Sequence, residues 1–153
     1  MIIGAGFSAN TGLPVASDFT ESLLQLSGLN FGGPSRAQVK LLRGFVDRVF
    51  AEGARAKAED WPELEDVFTM VDLSANTGHH LGPDYSASEL RVVRRAILVR
   101  MIRMLAQKYK RGQDSKGNGW QQLESLFTEF DLSSSAVLSM NWDTVFRGRE
   151  ARA

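Results

Sequence analysis

The sequence predicts an α/β domain in which a short N-terminal strand and a later buried strand are separated by a long helical stretch. Three observations predict it. The chain opens MIIGAGFSANTGLP, an apolar run that breaks at once into a glycine loop. Its middle repeats apolar residues every three or four positions, the period of a helix with one buried face. Near its end SAVLSM, residues 135–140, is a short apolar run bounded by serines, the pattern of a buried strand, and it is followed by Asn141, Trp142 and Asp143.

Taken in order, Met1 to Ile3 form the first strand, shorter than the usual five or so residues of a buried parallel strand. Gly4-Ala5-Gly6 then suits a loop that brings backbone N–H groups up to a phosphate, because a residue without a β-carbon lets a ligand approach and lets φ turn positive. Asp18 and Glu21 have capping-box spacing before an apolar run, so a helix is expected from about Asp18 to Gly28. NFGGPS, residues 30–35, reads as a loop with Ser35 as the next N-cap.

Val39, Leu42, Val46, Val49 and Phe50 give an amphipathic helix over residues 36–57. Pro62 sits where a first-turn proline belongs, and Leu64, Val67, Phe68 and Val71 define a short helix ending near Asp72. Residues 73–86 are turn-rich and read as an exposed loop. A long helix follows from about Ser88 to Lys110, with Leu90, Val93, Ile97, Met101 and Met104 on one side and Arg91, Arg95, Arg100 and Arg103 on its other faces. Residues 111–119 read as a second loop, and 120–130 as a last helix before the second strand. The parts are therefore 1–28 (strand, glycine loop and first helix), 35–130 (helical) and 135–146 (strand and Asn-Trp-Asp) of one domain, 1–153. Two strands are too few for a self-sufficient doubly wound sheet, so the sheet is expected to be incomplete.

Composition narrows the chemistry. Eighteen basic residues balance eighteen acidic ones, so the bulk charge points to neither a nucleic acid nor a membrane surface. There is no cysteine, which removes disulfides, thiol nucleophiles and Cys-ligated metals together. No apolar run approaches a membrane span. His79 and His80 lie in a glycine-flanked loop and read as surface residues, and two histidines alone make a poor metal site. Trp61, Trp120, Met101 and Met104 read as core. A dehydrogenase-type dinucleotide fold would need a second strand ending in an acid about 20 residues after the glycines; residues 23–26 are Leu-Leu-Gln-Leu within a helix.

Read in full, GAGFSANTGLP resembles the opening of the sirtuin superfamily: Gly-Ala-Gly-x-Ser, a glycine four residues after the serine, an apolar residue, then proline. Gly4, Ala5, Gly6, Ser8, Gly12, Leu13 and Pro14 match. Phe7 makes it most similar to the SIR2-like domains of bacterial defence proteins. SMNWDT resembles their Thr-x-Asn-Tyr-Asp element, with Ser139 for the threonine and Trp142 for the tyrosine. PELEDVF is similar in kind to an acidic helix that such domains often carry.

This resemblance implies a Rossmann-like SIR2-type domain with a large helical insertion, NAD+ as ligand or substrate, and no metal. It implies cofactor binding by Gly4, Ala5, Gly6, Phe7, Ser8, Gly12, Pro14, Asn141 and Asp143, with Asn141 catalytic in hydrolysing NAD+ to ADP-ribose and nicotinamide. It also implies a cytoplasmic setting, anti-phage defence by NAD+ depletion, and compatibility with a fused effector or sensor domain and a homo-oligomer. The deacylating members carry a four-cysteine zinc module and continue Gly-Ile-Pro with Asp-Phe-Arg; here Val15, Ala16 and Ser17 follow Pro14. The family's histidine, which follows the Asn-x-Asp strand, is missing, since the chain stops ten residues after Asp143. The resemblance thus covers the N-terminal part of the family's domain, and the isolated chain is expected to be an incomplete, inactive piece. The alternatives are a module that senses NAD+ or ADP-ribose without turnover and a sirtuin-type NAD-dependent protein deacylase. Outside the resemblance, Gly4 and Gly6 also suit a plain tight turn, Asn141 and Asp143 a turn or cap, and Ser8 a backbone cap as readily as a ligand contact.

Overall fold

The computed structural model describes residues 2–3, 6–25, 33–50, 61–115, 117–129 and 138–139. Among them the chain runs β1 (Ile2–Ile3), α1 (Gly6–Ala9), α2 (Ala16–Leu24), α3 (Gly33–Val49), α4 (Leu64–Thr77), α5 (Ala87–Ser115), α6 (Asn118–Glu129) and β2 (Leu138–Ser139). β1 and β2 are parallel, with Ile2 opposite Leu138 and Ile3 opposite Ser139. An isolated antiparallel bridge joins Leu81 to Tyr85.

The α/β, Rossmann-like expectation is overturned: the described residues are overwhelmingly helical, and a pair of two-residue strands is no doubly wound sheet. The cause lies in the spacing. The apolar residues of α2 to α6 recur at the helical period, which buries one stripe of a helix and leaves no alternating segment to extend the pair.

Two compact units divide the chain, residues 16–104 and residues 1–15 with 105–153. In the first, α2, α3, α4 and the leading part of α5 enclose a core in which Leu24, Val39, Leu42, Phe45, Val71, Leu90, Val93 and Met104 are almost wholly buried. The Tyr85 ring stands edge-on to Phe45, centroids 4.9 Å apart, and its hydroxyl reaches the Gly44 carbonyl at 3.4 Å. Thr20 Oγ1 donates to the Pro62 carbonyl at 2.7 Å, tying α2 to the entry of α4. Arg94 pairs with Asp72 and lies over the Phe68 ring at 5.8 Å, linking α5 to α4.

The interaction that composition hides is Arg100. Expected on a solvated face of α5, it is instead fully buried. Its Nε donates to the Leu23 carbonyl at 3.0 Å and its Nη2 to the Gln25 carbonyl at 3.2 Å. These oxygens lie at the C-terminal end of α2, where carbonyls have no helical N–H partner and carry the negative end of the helix dipole. Burial, with nearby Arg103 adding to it, lowers the pKa of the guanidinium from its ordinary value.

All three expected loops are shorter than the sequence suggested: α3 begins at Gly33, so Ser35 lies within the helix and does not cap it. α4 continues to Thr77 and ends on Gly78, whose φ of 80° is left-handed, while the His79 N–H donates to the Ser74 carbonyl at 3.0 Å. α5 continues to Ser115, and α6 begins at Asn118.

In the second unit Leu13 and Leu123 form a small core against Phe7, Leu105, Tyr109 and Trp120. Tyr109 and Trp120 meet edge to face at 5.2 Å. Two glycines admit the Asn10–Thr11 backbone here. A β-carbon on Gly112 would overlap the Trp120 indole nitrogen and the Thr11 carbonyl, and one on Gly119 would overlap the Asn10 carbonyl. Among the described residues, no helix is long and apolar enough to cross a membrane.

Two tests follow from this packing. Arg100→Met, which keeps the apolar stem and strands two carbonyls, should cost about 2–3 kcal/mol in urea denaturation, whereas Arg36→Met on an exposed position of α3 should stay within about 0.5 kcal/mol. Gly44→Ala, where a β-carbon meets nothing within 4 Å, should stabilise by about 0.5–1 kcal/mol. Gly119→Ala should instead destabilise by about 1–3 kcal/mol, because overlap with backbone outweighs the helical gain.

Candidate functional site

Five of the nine candidate residues fall among the described residues: Gly6, Phe7, Ser8, Gly12 and Pro14. Gly4, Ala5, Asn141 and Asp143 lie outside them. The parallel register of β1 and β2 means that the chain leaves Ile3 and Ser139 at the same end of the pair. Gly4 is the next residue after one strand, and Asn141 is two residues beyond the other.

The five described candidates separate by what holds them. Gly12 has φ 85°, a left-handed conformation that favours glycine, and it closes α1 with its N–H on the Ala9 carbonyl at 2.9 Å. Thr11 braces the same turn twice: its N–H reaches the Ser8 carbonyl at 3.0 Å and its Oγ1 reaches it at 2.6 Å. Phe7 packs on the Leu13–Leu123 cluster. Ser8 is buried, and Pro14 is half-buried. Gly12, Phe7 and Ser8 therefore all have structural work in the turn itself.

Gly6 differs. It is exposed, its φ is not positive, and a β-carbon there would meet nothing within 4 Å. Neither backbone conformation nor packing among the described residues asks for glycine at this position. None of the five carries an acid or base that titrates near neutrality, so they suit binding through backbone groups rather than proton transfer.

The chain matches no family model, no curated protein and no solved structure. The SIR2-like reading thus stands on the residues of its two motifs.

Sequence reasoning missed the clamp behind the turn. Gly112 and Gly119 were read as loop punctuation, whereas each is a close-approach position against Asn10–Thr11. A glycine immediately before a tryptophan that packs edge-on to Tyr109 was the available signal. His79 and His80 belong to the other unit, between α4 and α5; Thr77 Oγ1 lies 2.9 Å from His79 Nδ1, and both histidines are exposed. Among the described residues no group of three or more His, Asp or Glu side chains is placed to hold a metal ion.

The same connection holds a capping box that begins α5 at Ala87, one residue earlier than the sequence suggested: the Ser86 N–H donates to Glu89 Oε2 at 2.8 Å, and the Glu89 N–H reaches Ser86 Oγ at 3.4 Å. The Ser86 hydroxyl, then its backbone N–H, hold the Glu89 carboxyl below its ordinary 4.5, with the His80 charge adding to them. A carboxyl with a lowered folded pKa contributes stability above its unfolded pKa and loses it as pH falls through the folded one. An NMR titration should therefore find Glu89 half-protonated below the usual carboxylate range, and Ser86→Ala should move that midpoint upward.

Proposed function

We propose that this chain binds NAD+ through its glycine loop and the Asn-Trp-Asp element, and that the site serves hydrolysis of the bond between nicotinamide and ribose. The observation that carries the reading is the parallel register of β1 and β2, from which the two motifs continue at the same end. The open position at Gly6 supports it, since a residue without a β-carbon in open space lets a ligand approach the backbone.

The chemistry suits what these residues offer. Nicotinamide leaves a cationic ribosyl pyridinium as a neutral molecule, so the electron pair of the glycosidic bond departs with it and an oxocarbenium-like centre develops at the ribose. Water adds there and loses a proton, giving ADP-ribose, nicotinamide and a proton. The site must fix the diphosphate, orient the ribose and admit one water. Backbone groups of residues 4–8 would hold the diphosphate. Asn141 would orient the ribose or the water, and Asp143 would bond the nicotinamide amide or brace the loop. Both motifs match the SIR2-like pattern, and with it come a cytoplasmic setting and a role in bacterial defence by NAD+ depletion.

A sensing module that binds NAD+ or ADP-ribose without turnover is the second reading. It is favoured by the absence of any titratable side chain among the five described candidates. Incubating a version of the chain extended at its C-terminal end with NAD+ and following nicotinamide by chromatography separates the two. The hydrolase reading expects release that falls by at least about tenfold in Asn141→Ala and is lost in Gly6→Val. Saturable binding without release would end the hydrolase reading and leave the sensor, and no binding of NAD+ or ADP-ribose would end both.

A further inference from the structure

Within the 16–104 unit, two helices present outward stripes of opposite character. On α5, Val92 and Ile102 are 58% and 64% exposed, and the stripe between them carries exposed Arg95 with Arg91 and Arg103 at its flanks. No acidic residue falls on that stripe; Glu89 lies round the helix, bound to Ser86. On α4 and its N-cap, the stripe Glu63, Asp66, Met70 and Leu73 follows the three-four-three spacing of one helix face. Glu63 and Asp66 are exposed, and Met70 and Leu73 are 39% and 59% exposed.

We propose that these stripes are the two halves of a contact between copies of this chain, α4 of one copy lying along α5 of the next. The alignment follows from spacing. When the two helices run parallel, Asp66, Met70 and Leu73 come opposite Arg95, Val99 and Ile102, and Glu63 comes opposite Val92, beside Arg91. Opposite charges then meet at one end of the contact and apolar residues at the other, so charge complementarity and apolar burial act together. A second copy fits better than an anionic membrane or a nucleic acid, because the acidic stripe of α4 lies on the helix that Arg94 and Asp72 join to α5 and would repel either. Zero formal charge for the whole chain removes the net repulsion that would otherwise oppose self-association.

The test is sedimentation of the full chain from low to high micromolar concentration, with and without added salt. The expected result is a mass that rises with concentration and falls with salt. Arg91→Glu with Arg95→Glu, and separately Glu63→Arg with Asp66→Arg, should each weaken association by at least about tenfold while circular dichroism stays unchanged. An equimolar mixture of the two variants should restore it, because the acidic α5 of one then meets the basic α4 of the other. A wild-type chain that stays monomeric throughout, or a mixture that fails to recover, would overturn the proposal. So would association insensitive to both charge reversals, or a monomer that binds phosphatidylserine vesicles through Arg91 and Arg95.

Discussion

A single buried guanidinium fixes the helices of the 16–104 unit. Arg100 is fully buried, and an ionised group moved into a protein interior must find partners there to offset its lost hydration. It finds them in the carbonyls of Leu23 and Gln25, which are themselves left over when α2 ends. Each side of the contact satisfies the other, and the planar fork of arginine reaches two oxygens where a lysine would offer one point charge. α5 consequently cannot slide along its axis relative to α2 without exposing both. The buried apolar residues of the unit, Leu24, Ile97 and Met104 among them, supply burial without direction, whereas the guanidinium supplies register.

Much of this was legible in the residues, and the failures have physical causes. The helical period of Val39, Leu42 and Val46, and of Leu64, Val67 and Val71, marked faces that the structure buries. Arg100 was misplaced because its charge was weighed above its position: Leu90, Val93, Ile97, Arg100 and Met104 step by three and four along one stripe, so the register already pointed inward. The loop ends were misjudged because glycine was taken as a stop. Gly78 does end its helix with a left-handed turn, yet Gly112 sits within α5, where a close neighbour requires it. The sheet failed as an expectation because, among the described residues, the helical period claims the apolar residues between the two strands and leaves only Ile2–Ile3 paired with Leu138–Ser139.

The candidate site divides along the same line between backbone and side chain. Gly12, Thr11 and Ser8 build a tight helix end that would hold its shape with or without a ligand. Within this turn Gly6 stands apart, because neither a positive φ nor a close neighbour among the described residues asks for glycine there. A motif read as one block thus contains positions with different physical reasons, and only some of them concern chemistry. That distinction cannot be made from letters, since glycine for a positive φ and glycine for a close approach are written alike.

The glycine clamp around Asn10 and Thr11 also sets an order of events. Residues 16–104 form their unit from one uninterrupted segment, so their contacts can close as soon as α5 has left the ribosome. The turn after α1 must wait, because Gly112 and Gly119 belong to the last helices made, and β1 waits longer still for Leu138 and Ser139. Pairing across so much intervening chain carries a loop-closure cost that local helix contacts do not. The N-terminal segment that holds the candidate nucleotide loop is therefore the first synthesised and among the last to fold.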